Sequence, residues 1–486
     1  MNIKELTGSN ILKGAHNSAK EQGASIFLVG GAIRDLLLSS QIGKDFDFVL
    51  QGDVQKVAGV FAERAMGSFF CMDPKRGHYR VTIRGKARGT NIDFSGFRGD
   101  GIGEDLKKRD FTINSMAINL KDLFEKHKIN IIDPLNGLKD IEKGIIRACS
   151  SRVFDDDPLR LLRAIRISVT TNFAIEDKTE GLIRDKSELL TDSSWERVRD
   201  ELFQILYPSR AYESIERLDS LGLLRIILPE IDSWRDIDQG EHHDYNLFDH
   251  AVKTVKFIET VLSDLPYYFP DHASSLKSHF KEEIENNITR GNLIKLIAFL
   301  HDSGKVRTRS CDGEKVRFLG HDRVGYEINK AIAKRLKLGR KASRIIASIT
   351  KNHMRILNLS GSVKITQRAL YRFFRDLDED GIDCLILSLA DGLATRIPET
   401  SQPVIPLLSV IQDFMKYYFE GWRIAPTKPL LNGREVMTLL GITEGREVGR
   451  VLSVIKEAMG EGSISTKEEA ENLAISTHTR SDSLSQ

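Results

Sequence analysis

Cysteine is scarce in this 486-residue chain: Cys71, Cys149, Cys311 and Cys384 are the whole complement, far apart and without a CxxC pair. That excludes a disulfide scaffold and a thiolate zinc site, and it suits a reducing compartment. Charge of one sign is missing too. The chain has 71 Lys and Arg against 69 Asp and Glu, a net of +2. A polycationic binder of nucleic acid is therefore excluded, while a local basic surface stays open. No apolar run approaches the ~18–20 residues that cross a bilayer, and MNIKELTGSN has no cationic segment followed by an apolar stretch. The expectation is a cytoplasmic protein with no membrane partner. No internal repeat stands out either.

What is present is enough to fold. Apolar residues make up 41% and charged residues 29%, and the length implies two to four domains at about 150 residues each. Residues 1–150 alternate short apolar runs with helical patterns. Strands are expected at Ile26–Val29, around Phe46, Val49 and Leu50, at Arg80–Ile83 and at Thr90–Phe94, with a helix over Ala32–Ser39. Beyond about residue 151 the pattern is almost wholly helical, as in LRLLRAIRI, NLIKLIAFLHD and VGYEINKAIAKRL. The fold class expected is α+β, a small sheet-and-helix head followed by a long all-α body. The boundaries expected are 1–150 for the head, 151–234 for a neck, 235–400 for a histidine-rich domain and 401–486 for a helical tail. Its polar end, from about Ser476, is expected to fray.

The strongest local signal is FLVGGAIRDLLLSSQIGKDFDFVL, residues 27–50. Gly30 and Gly31 stand between a strand and a helix. Backbone N–H groups approach an anion readily there, although a tight turn is the plainer reading of a lone pair of glycines. Asp45 and Asp47 are two apart, so on a strand both carboxylates point to one side. Hard oxygen ligands in that arrangement suit Mg²⁺, with Asp93 on a neighbouring strand as a third carboxylate. Arg34 and Arg109 supply charge for a triphosphate. Residues 75–110 hold ten Lys and Arg against five acids, a basic stretch fit for phosphate or RNA backbone.

These residues resemble a family. LVGGAIRD followed by DFDF is similar to the first motif of class II tRNA nucleotidyltransferases and bacterial poly(A) polymerases, and four further blocks follow in the family's order. EDLKKRDFTINSMAIN (104–119) resembles the ribose-contacting second motif, which carries over to Arg109, Asp110 and Asn114. IIDPLNGLKDIEKGIIRA (131–148) resembles the third, and FDDDPLRLLRAIRIS (154–168) the nucleotide-selecting helix. WERVRDELFQIL (195–206) resembles the helix after it. The resemblance implies that Asp157 and Arg160 read the base, with Arg163 and Arg166 also at the nucleotide; Asp156 stands where the family commonly has Glu. Three residues apart on a helix, Asp157 and Arg160 would face the same way and present an acceptor beside a guanidinium fork. Without the preceding motifs, a surface ion pair is the plainer reading. Between Asp93 and the second motif lies only FSGFRGDGIG (94–103). Family members that add a complete CCA carry a longer segment there, and those restricted to CC a shortened one. Partial addition is therefore expected.

Eight of the twelve histidines fall within residues 242–353. Adjacent His301 and Asp302 close an apolar helix pattern, and an imidazole beside a carboxylate can bind one metal. With His250, His321, His353 and Asp391 they resemble an HD-type metal-dependent phosphohydrolase domain. The resemblance implies a one- or two-metal centre holding a transition metal or Mg²⁺, with Lys305 facing phosphate. The plainer alternative is a vestigial fold whose histidines make packing hydrogen bonds. His242 and His243 are expected to flank the site, and His272 and His279 to lie on the surface. PLLNGREVMTLLGITEGREVGRVLSVIKEAMGEGSIST (429–466) resembles the helical tail of HD-bearing members. The spacing of Gly441, Gly445 and Gly449 fits no phosphate loop, and helix ends explain them better.

The expected function is template-independent addition of CC or CCA to tRNA 3′ ends from CTP and ATP, with a second phosphohydrolase activity. The alternatives are a poly(A) polymerase, a uridylylating regulator of a signalling partner, and a phosphohydrolase whose N-terminal half only binds RNA.

Overall fold

The sheet of the head follows from a two-residue apolar period. In FDFVLQ, Phe46, Phe48 and Leu50 are buried on one side of the strand while Asp47 stands exposed on the other. Seven strands assemble: β1 (Ser25–Val29), β2 (Phe46–Gln51), β3 (Gly67–Asp73), β4 (His78–Ile83), β5 (Asn91–Gly96), β6 (Ala117–Asn119) and β7 (Ile131–Ile132). Their order is β3-β4-β5-β2-β1-β6-β7, and only β2 and β5 pair in parallel. One face carries Ile26, Leu28, Phe48, Val81, Ile92 and Phe94, and is covered by helices Asn10–Glu21 and Val54–Arg64. On the opposite face a smaller cluster of Phe27, Val29, Val49, Leu106 and Ala117 covers only the β1, β2 and β6 side.

The computed structural model describes residues 3–39, 45–74, 77–83, 91–240, 245–285, 287–313, 315–360, 365–395, 404–423 and 429–482. His242, His243, Thr90 and five of the expected basic residues (Lys75, Arg76, Arg84, Lys86, Arg88) lie outside them. Among the described residues no helix is long and apolar enough to cross a membrane. The four expected strands form with ends shifted by a residue or two. Strand β3 was not expected, because GSFFCMD is largely exposed and lacks a clean alternation.

The chain divides into two compact units, Met1–Glu201 with Arg217–Ile227, and Leu202–Glu216 with Leu228–Gln486. The second is helical apart from short two-stranded ribbons. Its helices Leu247–Ser263, Arg290–Leu300, His321–Arg335, Arg340–Asn352 and Asp380–Ala394 bring together histidines spread over a hundred residues of sequence. The tail packs helices Gly433–Leu440, Arg446–Gly460 and Lys467–Asp482 around Val436, Val451, Ile455 and Ala474. Gly441 closes the first of these at φ +64°, a helix end as expected. The last helix runs past Ser476 to Asp482, and within it His478 Nδ1 lies 3.2 Å from Glu447; residues 483–486 of the expected frayed end lie outside the described residues.

Candidate functional sites

In the head, the two residues that follow β1 create the room the site needs. Gly30 has φ +77°, the left-handed region that favours glycine. A Cβ there would meet Asp47 Oδ2 at 3.0 Å and Arg109 Nη1 at 3.5 Å, so glycine lets these two side chains close over the backbone. Gly31 likewise lies under the Arg34 guanidinium. Strand pairing sets Asp47 directly opposite Val29 on β1 and opposite Asp93 on β5. Asp45 precedes β2 and is exposed like Asp47.

The electrostatics of this row ask for a cation. Asp47 is open to solvent yet densely surrounded, and loss of water pushes its carboxyl above the ordinary range. Asp93 and Asp45 push the same way, while Arg109 and Arg163 pull against them. Asp93 is held below the usual range despite burial by a two-pronged bond from Arg80, whose Nε and Nη2 both lie 2.8 Å from its oxygens, and by His78. Clustered carboxylates facing an opening, one of them short of water, fit a divalent ion.

Cations and their partners line the other side. Arg34 donates from Nη1 to Asn114 at 2.8 Å and from Nε and Nη2 to Asp35. Arg109 is anchored by buried Asp105 at 2.9 and 3.0 Å. Buried Asp110 takes Arg163 Nη2 at 2.8 Å, the Phe111 N–H at 2.8 Å and Asn114 Nδ2 at 3.1 Å. Burial raises the Asp110 carboxyl, but these partners hold it far below the carboxylate range. A depressed folded pKa means stability that is complete above the unfolded value near pH 4 and lost as the pH falls through the folded value. Replacing Arg163 with Ala is expected to cost about 2 kcal/mol in denaturant unfolding at pH 7. It should also flatten the loss of stability below pH 4.

The expected base-reading pair differs from its premise. Asp157 and Arg160 do not share a helix: one short helix ends at Asp156, Asp157 is extended (φ −156°), and the next begins at Arg160. Pro158 is the cause, since the residue before proline avoids the helical region. Asp157 accepts from Arg197 Nη2 at 3.1 and 3.2 Å, and Arg160 is buried, donating to the Val153 and Lys108 carbonyls. Arg166 pairs with Glu201 at 2.8 Å, and burial lowers its pKa. Arg197 and Arg80 were not singled out individually as site residues. The signal for Arg80 was its place in the basic stretch 75–110; for Arg197 it was the WERVRDEL helix.

Residues 97–101 are short and pinned. The Arg98 N–H donates to buried Asp105 at 3.2 Å, and Lys108 Nζ donates to the Arg98 carbonyl.

The second constellation is built from helix ends. His301 and His353 each follow a helix directly, and His321 opens one. Their Nδ1 atoms lie 2.8, 2.7 and 2.8 Å from the carbonyls of Ala298, Thr350 and Phe318, each three residues earlier. A carbonyl only accepts, so Nδ1 donates and every Nε2 is left as a ligand atom. Asp302 is shared: Oδ2 lies 3.2 Å from His301 and 3.7 Å from His250, Oδ1 3.2 Å from His321 and 3.5 Å from His353. Asp391 Oδ1 lies 3.0 Å from His250 and 3.6 Å from His301.

The residues fit a metal by their own contacts. His301 Nε2 is buried without a hydrogen-bond partner, and the Nε2 atoms of His321 and His353 face each other at 3.1 Å, which a cation between them resolves. Without it, burial opposes protonation of His301, but Asp302 and Asp391 prevail and hold it up to about 10. Lys305 differs from expectation: it is buried, with Nζ 2.6 Å from Asp302 Oδ2 and 2.7 Å from Gln239, so its charge is spent on the Asp302 carboxylate. His279 also departs from a surface role, lying 3.0 Å from buried Asp383.

With this geometry in view, the chain matches the family of the poly(A) polymerase head domain over residues 26–147. It also matches the probable RNA and SrmB binding site of polymerase A over 172–235 and the HD domain over 247–396. It is 33% identical to the A-adding tRNA nucleotidyltransferase of Deinococcus radiodurans, across 91% of this chain and 93% of that one. It is 30% identical to the CC-adding tRNA nucleotidyltransferase of Geobacter sulfurreducens, across 93% and 92%. The CCA-adding enzyme of Thermotoga maritima complexed with tRNA shares the fold at a TM-score of 0.60 and 22% identity, across 96% of this chain and 95% of that one.

Proposed function

Because the chain belongs to the tRNA nucleotidyltransferase and poly(A) polymerase family and carries an HD domain, we propose that it adds CC to tRNA 3′ ends and hydrolyses phosphoesters at a second centre. The observation that carries the first activity is the row Asp47, Asp93 with Arg109 and Arg163 beside it. Asp45 and Asp47 would hold Mg²⁺, with Asp93 next to them. Divalent ions bound there supply charge neutralisation to a triphosphate and make a 3′-hydroxyl easier to ionise. Arg34, Arg109 and Arg163 are anchored by Asn114, Asp105 and Asp110, so they meet the phosphates without first losing freedom. Asp110 and Asn114 would contact the ribose, and Asp157, paired with Arg197, would offer its carboxylate to the base edge.

Restriction to CC rests on the pinned segment 97–101. A longer, free segment accompanies complete CCA addition in the family, and here its place is taken by five residues held at Arg98 by Asp105 and Lys108. In the HD domain, His250, His301, Asp302, His321, His353 and Asp391 would hold one or two divalent ions, which when bound provide an activated water for attack on phosphorus. A cytoplasmic location follows from the tRNA substrate.

The test is incorporation of single labelled nucleotides into tRNAs truncated before the first C, the second C and the terminal A. Two labelled C residues and no A are expected. Addition of A alone, or of all three, overturns the CC assignment, and long adenosine tails on unstructured RNA would make the protein a poly(A) polymerase.

A further inference from the structure

The carboxylate row continues past the metal ligands. Asp47 lies opposite Asp93, Asp93 opposite Arg80, and Arg80 opposite Phe70 on β3. Directly opposed residues point to the same side of a sheet, so all four stand on one face. At about 4.8 Å per strand, Phe70 roots about 10 Å from Asp93 and about 15 Å from Asp47. It is 47% exposed. Its neighbour Phe69 turns the other way, against Gly59 and Tyr79, so the core does not use Phe70. The apolar cluster that covers this face over β1, β2 and β6 includes no residue of β3 or β4.

Position on the sheet separates two flanks. On one side of Asp47 lie Gly30, Arg109 and Arg163, the anion-holding side. On the other lie Asp93, Arg80, His78 and Phe70. In phosphoryl transfer the attacking and leaving oxygens are roughly in line, so a triphosphate on the first flank places the acceptor strand on the second. Arg80 spends Nε and Nη2 on Asp93, which leaves Nη1 outside that fork. An acceptor end that changes its base with each addition needs a contact indifferent to base identity. Stacking on an aromatic ring is such a contact, because every base has a π-face.

We propose that Phe70 is the stacking platform for the 3′-terminal base of the acceptor RNA, with Arg80 and His78 facing its last phosphodiester. This rests on the nucleotidyl-transfer reading above. The ring selects neither C nor A; it holds whichever base is terminal so that the 3′-hydroxyl meets the carboxylates.

The experiment compares wild type, Phe70→Ala, Phe70→Leu and Phe70→Trp on tRNA lacking its terminal nucleotides. In F70A and F70L the KM for tRNA should rise roughly 5- to 150-fold, the range that loss of one base stack brings. F70W should stay near wild type, and the KM for CTP should not move. On an acceptor whose 3′-terminal nucleotide is abasic, F70A and wild type should become equal. An F70L that performs like F70W, an unchanged F70A, or a shift confined to the KM for CTP overturns the platform. If the wild type extends no tRNA at all, the transfer reading itself fails; if it extends and F70A matches it, only the platform does.

Discussion

Asp47→Ala should lower nucleotide addition by about 10³-fold or more, since an ion-holding carboxylate governs roughly 4 kcal/mol of transition-state charge. Three features single out Asp47 over other acids of the head. It is directly opposed to Asp93, its carboxyl is pushed upward by loss of water, and Gly30, just past β1, leaves it room beside Arg109. Asp45→Ala should fall by a similar factor. Phosphoester hydrolysis by the HD centre should remain within twofold of wild type in both, which separates loss of a site from loss of the fold. The measurement is initial-rate incorporation of labelled CTP beside hydrolysis of a chromogenic phosphoester. Undiminished addition by the Asp47 variant would refute the assignment of the transfer site.

The converse substitution is Asp302→Asn. Asparagine keeps the shape but removes the charge that faces four imidazoles and Lys305 at once. Because both three-residue nests, His250–His301–Asp302 and Asp302–His321–His353, draw on this side chain, neither keeps a full ligand set. Metal affinity should fall at least about 100-fold, beyond what loss of an outer hydrogen bond brings, and hydrolysis should fall with it. Titration with Mn²⁺ and metal content after dialysis report the first, and tRNA extension, expected intact, serves as the internal control. Retention of metal at wild-type affinity would remove Asp302 from the centre.

The head was legible where chemistry and local geometry coincide. The strand–glycine–helix passage at Val29 to Arg34 and the alternation in FDFVLQ placed the carboxylates and the glycine turn beside them, because both are decided by residues within reach of one another along the chain. The histidines were legible as ligand types, but their mutual arrangement was not, since it depends on five helices meeting. What escaped were pairings between distant segments: Arg80 with Asp93, Arg197 with Asp157, Lys305 with Gln239. The expectation that Asp157 and Arg160 share one helix failed for a local reason that a reading of Pro158 could have supplied. Strand β3 escaped because its apolar residues point both ways, and an outward Phe carries no periodic signal.

The division of the chain has a genetic consequence. Residues 202–216 belong with the second unit although 217–227 return to the first, so the polypeptide passes the boundary three times. No single cut leaves both units whole: one after 201 strips the first of 217–227, and one after 227 takes 202–216 away from the second. Splitting this gene into two fragments therefore always costs one of its products a segment that belongs to it.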